Sequence, residues 1–199
     1  MSDTNVNLAA LIGSRICHDL ISPIGAITNG LELLDLTGAT QGPEMELIAD
    51  SVGNAGARIR FFRIAYGRAD DQMISRAEIV SVLDDMGRGG RLRVDWSPAD
   101  PLPRSEVRLA FLALQCFETA MPYGGTVCVD SRAGRWRMVG EAGKMTMDAA
   151  LWAIFDGAPP PDPVTPAQVQ FALIPQVARD LGRRMSYSRD SDHRLVLEF

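Results

Sequence analysis

Between Ile16 and Leu34 the apolar residues fall at Ile16, Leu20, Ile24, Ile27, Leu31 and Leu34, spacings of 4, 4, 3, 4 and 3 that trace one stripe along a helix. The pattern returns from about Glu44 to Tyr66, with Ile48, Val52, Ala55, Ile59, Phe62 and Tyr66 at spacings of 4, 3, 4, 3 and 4. Between the two lies the breaker-rich DLTGATQGP, which predicts a reversal and hence an antiparallel helical hairpin. A lone hairpin cannot shield a stripe this long from water on both sides. A second copy of the same hairpin covers it most simply, so the pattern predicts a four-helix bundle formed by dimerisation.

From Ser75 onward the texture changes. Ser75 and Glu78 stand at capping-box spacing before the apolar run IVSVL and predict a short helix that ends near the glycines of GRGGR. RLRVDW reads as a strand, SEVRLAFLALQCFETAM as a helix buried on most of its circumference, and TVCVDS with WRMVGEA as the arms of a hairpin. A short helix around Asp148 to Phe155, a proline-rich surface loop GAPPPDPVTP, a helix from about Pro166 to Leu181 and the strands RMSYS and RLVLEF complete the chain. The fold class is α+β: a helical hairpin over residues 1–70, then an α/β sandwich over residues 71–199 with a mixed sheet and helices on one face.

With 46% hydrophobic and 23% charged residues, the composition is that of an ordinary globular protein. Its net charge of -5 argues against a sequence-independent grip on nucleic acid or on an anionic membrane, since both need clustered Lys and Arg. No apolar run approaches the roughly 20 residues that span a bilayer, and MSDTNVNLAALIG carries no basic lead into a signal core, so a cytoplasmic location is expected. Cys17, Cys116 and Cys128 are odd in number and widely separated, which predicts neither a disulfide framework nor a metal site.

The candidate chemistry gathers around one of the two histidines. At about 100° per residue, with Ile16 at zero, the stripe lies within about 80° on either side while His18 sits at about 200° and faces outward. By the same count Ser14 lies at about 160°, Gly25 at about 180°, Asn29 at about 220° and Ser22 at about 240°, with Arg15 at the rim. Exposed helix faces usually fill with Lys and Glu, so a patch of Ser, Gly and Asn around an imidazole suggests clearance for another macromolecule. Pro23, inside the helix, removes a donor and crowds the carbonyl of Asp19, which predicts a kink beside the ring. Asp19 is one helical step away and points about 100° aside, so both an orienting role and mere solvation stand open. Arg58, Arg60, Arg63 and Arg68 on the second helix are equally compatible with an acidic partner and with a solvated cationic face.

H-D-L-I-S-P resembles the H-box of two-component histidine kinases, where a histidine precedes an acid and, five places on, a proline. That resemblance implies that His18 is the catalytic residue and carries a phosphoryl group on an imidazole nitrogen. The second half is similar in element order to the GHKL-type ATPase domain of those kinases. Yet Gln115 and Cys116 stand where the N-box asparagine belongs, and no D-x-G-x-G lies between Val139 and Gln168. Without that acid adenine has no recognition partner, and without the glycines no backbone cradle closes on the phosphates, so no ATP is expected to bind.

An intact hairpin before a degenerate sandwich resembles the ChpT family of histidine phosphotransferases. The likeness is specific over Arg15 to Leu34 (RICHDLISPIGAITNGLELL) and Arg58 to Gly67 (RIRFFRIAYG), extends to the proline and paired glycines before Thr126, and is loose beyond Arg132. It implies a homodimer that moves phosphoryl groups through His18 from the receiver domain of a CckA-type hybrid kinase to CtrA-type and CpdR-type response regulators. The receiver would supply Mg²⁺, and this chain neither a metal nor a cofactor. Ser14, Arg15, Asp19, Ser22, Gly25, Asn29 and Arg63 are the expected receiver-docking residues. The alternatives are a divergent ATP-dependent kinase and a non-catalytic dimeric adaptor.

Overall fold

The computed structural model describes residues 3–37, 42–68, 72–98, 101–161 and 163–199. Helix α1 spans Asp3–Thr37 and α2 spans Pro43–Ala65, the expected antiparallel hairpin. Pro43 opens α2 where its missing N–H costs nothing, and Glu44 and Glu46 in the first turn suit the positive end of the helix dipole. α1 begins well before the periodic run, and Leu8, Leu11, Ile12 and Ile16 pack against the core of the sandwich. The helix is unbroken through Pro23, which is buried. Further along, Gly30 allows the two helices to approach closely, since a Cβ there would lie 2.6 Å from Ile48 Cγ1.

The predicted single stripe is divided between two faces. Ile16, Leu20, Ile27 and Leu34 are half-buried within the chain, whereas Ile24 and Leu31 on α1 and Val52 and Ile59 on α2 stay about half exposed. A stripe about 160° wide is broader than one neighbouring helix can cover.

After the hairpin come β1 (Met73–Ile74), α3 (Arg76–Gly89), β2 (Leu92–Trp96), β3 (Leu102–Pro103) and α4 (Arg104–Ala120). The Ser75 hydroxyl accepts from the Glu78 N–H at 3.1 Å and starts α3 as expected, and the helix ends at Gly89, within the glycines of GRGGR. The short antiparallel pair β1 and β3 was not anticipated, because two-residue strands leave no periodicity to see. The hairpin β4 (Gly125–Arg132) and β5 (Arg135–Glu141) leads to α5 (Ala149–Trp152), capped by Asp148 and continued by a 3₁₀ turn over Ala153–Asp156. A second 3₁₀ turn, Pro166–Gln168, enters α6 (Val169–Asp180), and β6 (Ser186–Ser191) and β7 (Arg194–Glu198) end the chain.

The five-stranded sheet runs β2-β4-β5-β7-β6, parallel only between β2 and β4. Val127, Val129, Trp136, Met138, Leu195 and Leu197 turn inward, and Arg93, Asp95, Cys128 and Arg137 outward. α4 fills the interior as its composition predicted, with eleven buried residues, and contacts both α2 and α6. Phe61 of α2 stacks on Phe111 of α4 at 4.7 Å, so hairpin and sandwich share one hydrophobic core. The boundary placed between residues 70 and 71 lies outside the described residues.

Candidate functional site

His18 stands on the outer face of α1 with 84% of its side chain exposed. Its Nδ1 lies 3.1 Å from Asp19 Oδ1. The Asp19 carboxylate is itself only 11% exposed, because its other oxygen, Oδ2, accepts from Arg15 Nε at 2.9 Å and lies 3.6 Å from a terminal nitrogen of Arg58. Arg58 is held in turn by donating from Nε to Asn54 Oδ1 at 2.9 Å. A carboxylate is acceptor-only, so this contact places a proton on Nδ1, and in the neutral ring that leaves Nε2 as the nitrogen with the free lone pair. The angular offset between neighbouring helical positions does not keep Asp19 from the ring: one oxygen reaches back while the other stays with the arginine.

Two expected docking residues are therefore covered within the chain and are not part of the open face. Asp19 is largely covered and orients the ring. Arg15 is not at a rim: only 13% exposed, it donates to Asp19 and to the Ala167 carbonyl at 3.0 Å, and lies 3.5 Å from Glu118 Oε2. A third, Arg63, is exposed but lies about 140° around α2 from Arg58, so the fold does not bring it to His18. Ser14, Ser22, Gly25 and Asn29 do share the open face with His18. At Gly25 a Cβ would meet nothing within 4 Å, so no contact inside the chain demands glycine there.

Asn54 is a functional candidate that sequence reasoning did not single out, and Arg58, named there only as one of four arginines on α2, is the one that reaches Asp19. Their i, i+4 spacing was visible, but their placement opposite Asp19 depends on how α2 is registered against α1. Beside this cluster, at Ser22, a groove of about 750 Å³ runs between α1, α2 and α3. Gly53 and Arg60 line it from α2, and Asp85 and Arg88 from α3. Asp85 pairs with Arg60 and, at 3.3 Å, with Arg88.

Behind the cluster, Tyr66 donates to Gln115 Oε1 at 2.8 Å, and burial pushes its phenol up to about 12. Gln115, at the N-box position, is thus turned toward α2. The stretch that would carry the glycine loops folds inward instead: Trp152 and Phe155 pack with Phe171 and Tyr187, centroids 5.2 to 6.2 Å apart. Burial also raises the Cys116 thiol well above its ordinary range. Among the described residues no three His, Cys, Asp or Glu side chains gather as a metal site, and no helix is long and apolar enough to cross a membrane.

A helical hairpin that offers an exposed, carboxylate-oriented imidazole beside an α/β sandwich is the arrangement of a histidine phosphotransfer protein. Residues 76–193 match the family described as histidine phosphotransferase C-terminal domain. The chain is 33% identical over 188 residues to the protein phosphotransferase ChpT of Brucella abortus (strain 2308), covering 91% of this chain and 90% of that protein. A bacterial phosphotransferase solved at 1.7 Å superposes with a TM-score of 0.80 at 32% identity, over 100% of this chain and 97% of the other. The chain belongs to the histidine phosphotransferase family and is a phosphorelay histidine phosphotransferase.

Proposed function

We propose that His18 Nε2 takes the phosphoryl group from the aspartyl phosphate of one receiver domain and hands it to the aspartate of another. The observation that carries this reading is the exposure of His18 with Nδ1 committed to Asp19. In the forward step the Nε2 lone pair forms an N–P bond as the acyl-phosphate P–O bond breaks, and the receiver carboxylate leaves. The ring gains positive charge, which Asp19 balances through the Nδ1 proton. The second transfer is the reverse reaction on a different receiver. The transition state is loose, so the work of this chain is alignment and charge balance, while Mg²⁺ comes with the receiver.

Ser14, Ser22, Gly25 and Asn29 form the docking floor, and the adjoining groove receives the flank of the visiting domain. Identity to a ChpT protein supports a CckA-type hybrid kinase as donor and CtrA-type and CpdR-type regulators as acceptors. The exposed Ile24 and Leu31 on α1, with Met45, Val52 and Ile59 at seven-residue spacing on α2, support a homodimeric four-helix bundle. His18 lies about 120° around α1 from Ile24, so such a bundle leaves the ring open. The inward fold of residues 149–156 and the engagement of Gln115 support transfer without ATP.

The test is incubation with a phosphorylated receiver. Label should pass to the wild type and onward to a second receiver, and His18→Ala should abolish both steps. Label acquired from free ATP alone would overturn the reading in favour of a kinase.

A further inference from the structure

We propose that Arg15 is a positioning residue through which the C-terminal sandwich sets the tautomer, and so the reactivity, of His18. The inference rests on the reading of His18 as the phosphoacceptor. Each nitrogen of the Arg15 guanidinium serves a different element. Nε donates to Asp19 Oδ2 on α1 at 2.9 Å, one terminal nitrogen donates to Ala167 O in the turn before α6 at 3.0 Å, and the other faces Glu118 Oε2 on α4 at 3.5 Å.

The anchoring carbonyl is fixed as well. Ala167 O also accepts from Gln170 Nε2 at 3.1 Å, and Gln170, fully buried, reaches Thr119 Oγ1 on α4 at 3.0 Å. The turn is closed by a capping box in which the Thr165 N–H donates to Gln168 Oε1 at 3.3 Å. A continuous hydrogen-bonded path therefore runs from the interior of the sandwich through Ala167, Arg15 and Asp19 to the imidazole.

An Arg–Asp pair one turn apart on an open helix face is weak and easily replaced by water. Here the guanidinium is already immobilised by the sandwich, so the Asp19 carboxylate meets a fixed, planar donor and is itself fixed. The consequence is chemical. In water the neutral histidine side chain favours the proton on Nε2, the nitrogen that must be free to attack. A fixed Asp19 Oδ1 at Nδ1 reverses that preference. The sandwich thus serves the relay as a scaffold for one carboxylate.

The experiment uses the full chain with ¹⁵N-labelled histidine. Long-range ¹H–¹⁵N correlation reads the His18 tautomer, and a receiver titration separates the maximal transfer rate from the half-saturating receiver concentration. In the wild type the proton should sit on Nδ1. Arg15→Ala should shift it toward Nε2 and lower the maximal rate about tenfold or more, with half-saturation changed less than twofold. Arg15→Lys, a point charge without the planar fork, should restore the rate only in part. Glu118→Gln should move both readouts in the same direction by less, and it decides the matter if Arg15→Ala does not fold.

A wild-type tautomer and rate in the Arg15 variants overturns the inference. So does a raised half-saturation at an unchanged maximal rate, which would make Arg15 a docking contact. A wild type that takes no label from any receiver overturns the phosphorelay reading instead, and the tautomer measurement still decides the role of Arg15.

Discussion

Replacing Gly25 with alanine should stabilise the protein and impair the relay at once. Gly25 is exposed in the interior of α1, and a Cβ built on it meets nothing within 4 Å, so the added methyl strains nothing inside the chain. Glycine in a helix interior is about 1 kcal/mol less favourable than alanine. For a chain of this size that gain raises the melting temperature by roughly 2–4 °C. The same methyl stands on the face where a receiver must come close to His18. Overpacking a well-fitted contact costs about 1–3 kcal/mol, a roughly 5- to 150-fold loss of receiver affinity. Gly30→Ala is the control, because there a Cβ would lie 2.6 Å from Ile48 Cγ1 and 3.1 Å from its Cδ1. The clash outweighs the helix gain, and the net loss reaches about 2 kcal/mol. Thermal unfolding by circular dichroism and receiver titration by calorimetry measure the two effects. A Gly25→Ala protein that binds phosphorylated receivers as tightly as wild type would refute the docking face, and one that melts lower would refute the steric argument.

Val52→Glu, on the exposed apolar row of α2, tests the proposed dimer: it should leave secondary structure unchanged and halve the mass seen by light scattering, since a charge there would oppose apolar contact between two copies, and a wild type already of monomer mass would refute the dimer. Tyr66 should make the protein alkali-sensitive. Its folded phenol titrates at about 12 against an ordinary 10, so the unfolded state ionises first, and stability is intact below pH 10 and lost as pH rises from 10 to 12. The loss amounts to about 3 kcal/mol, and Tyr66→Phe should flatten that stretch of the stability curve while costing about 1–3 kcal/mol at neutral pH through the orphaned Gln115 oxygen. Alkylation of the native protein should label exposed Cys128 readily and buried Cys116 only on unfolding; equal labelling rates would contradict the burial that raises its thiol.

Much of the architecture was legible in the chain. The hairpin, the helix packed on nearly all sides at Leu109 to Phe117 and the succession of later strands all follow from local periodicity, which fixes which residues share a face. Less local features escaped. Seen as one stripe, the apolar residues of α1 gave no sign that Ile24 and Leu31 would stay open while Ile27 and Leu34 became half-buried. Arg15 looked like a surface residue because a helical wheel knows nothing of a distant turn at Ala167. Arg63 and Arg58 were equivalent in sequence, yet only Arg58 reaches Asp19.

The order of residues was enough to make an imidazole project from a helical hairpin among small side chains, because 3.6 residues per turn places His18, Ser22, Gly25 and Asn29 together whatever surrounds them. Which ring nitrogen is left free to attack was settled only when the elements packed. That choice belongs to Asp19, held between Arg15 and Arg58, whose side chains draw on α2, α4 and the turn before α6. Hydrogen bonds act over about 3 Å, and no pattern along one helix specifies which atoms of the others will come within that reach.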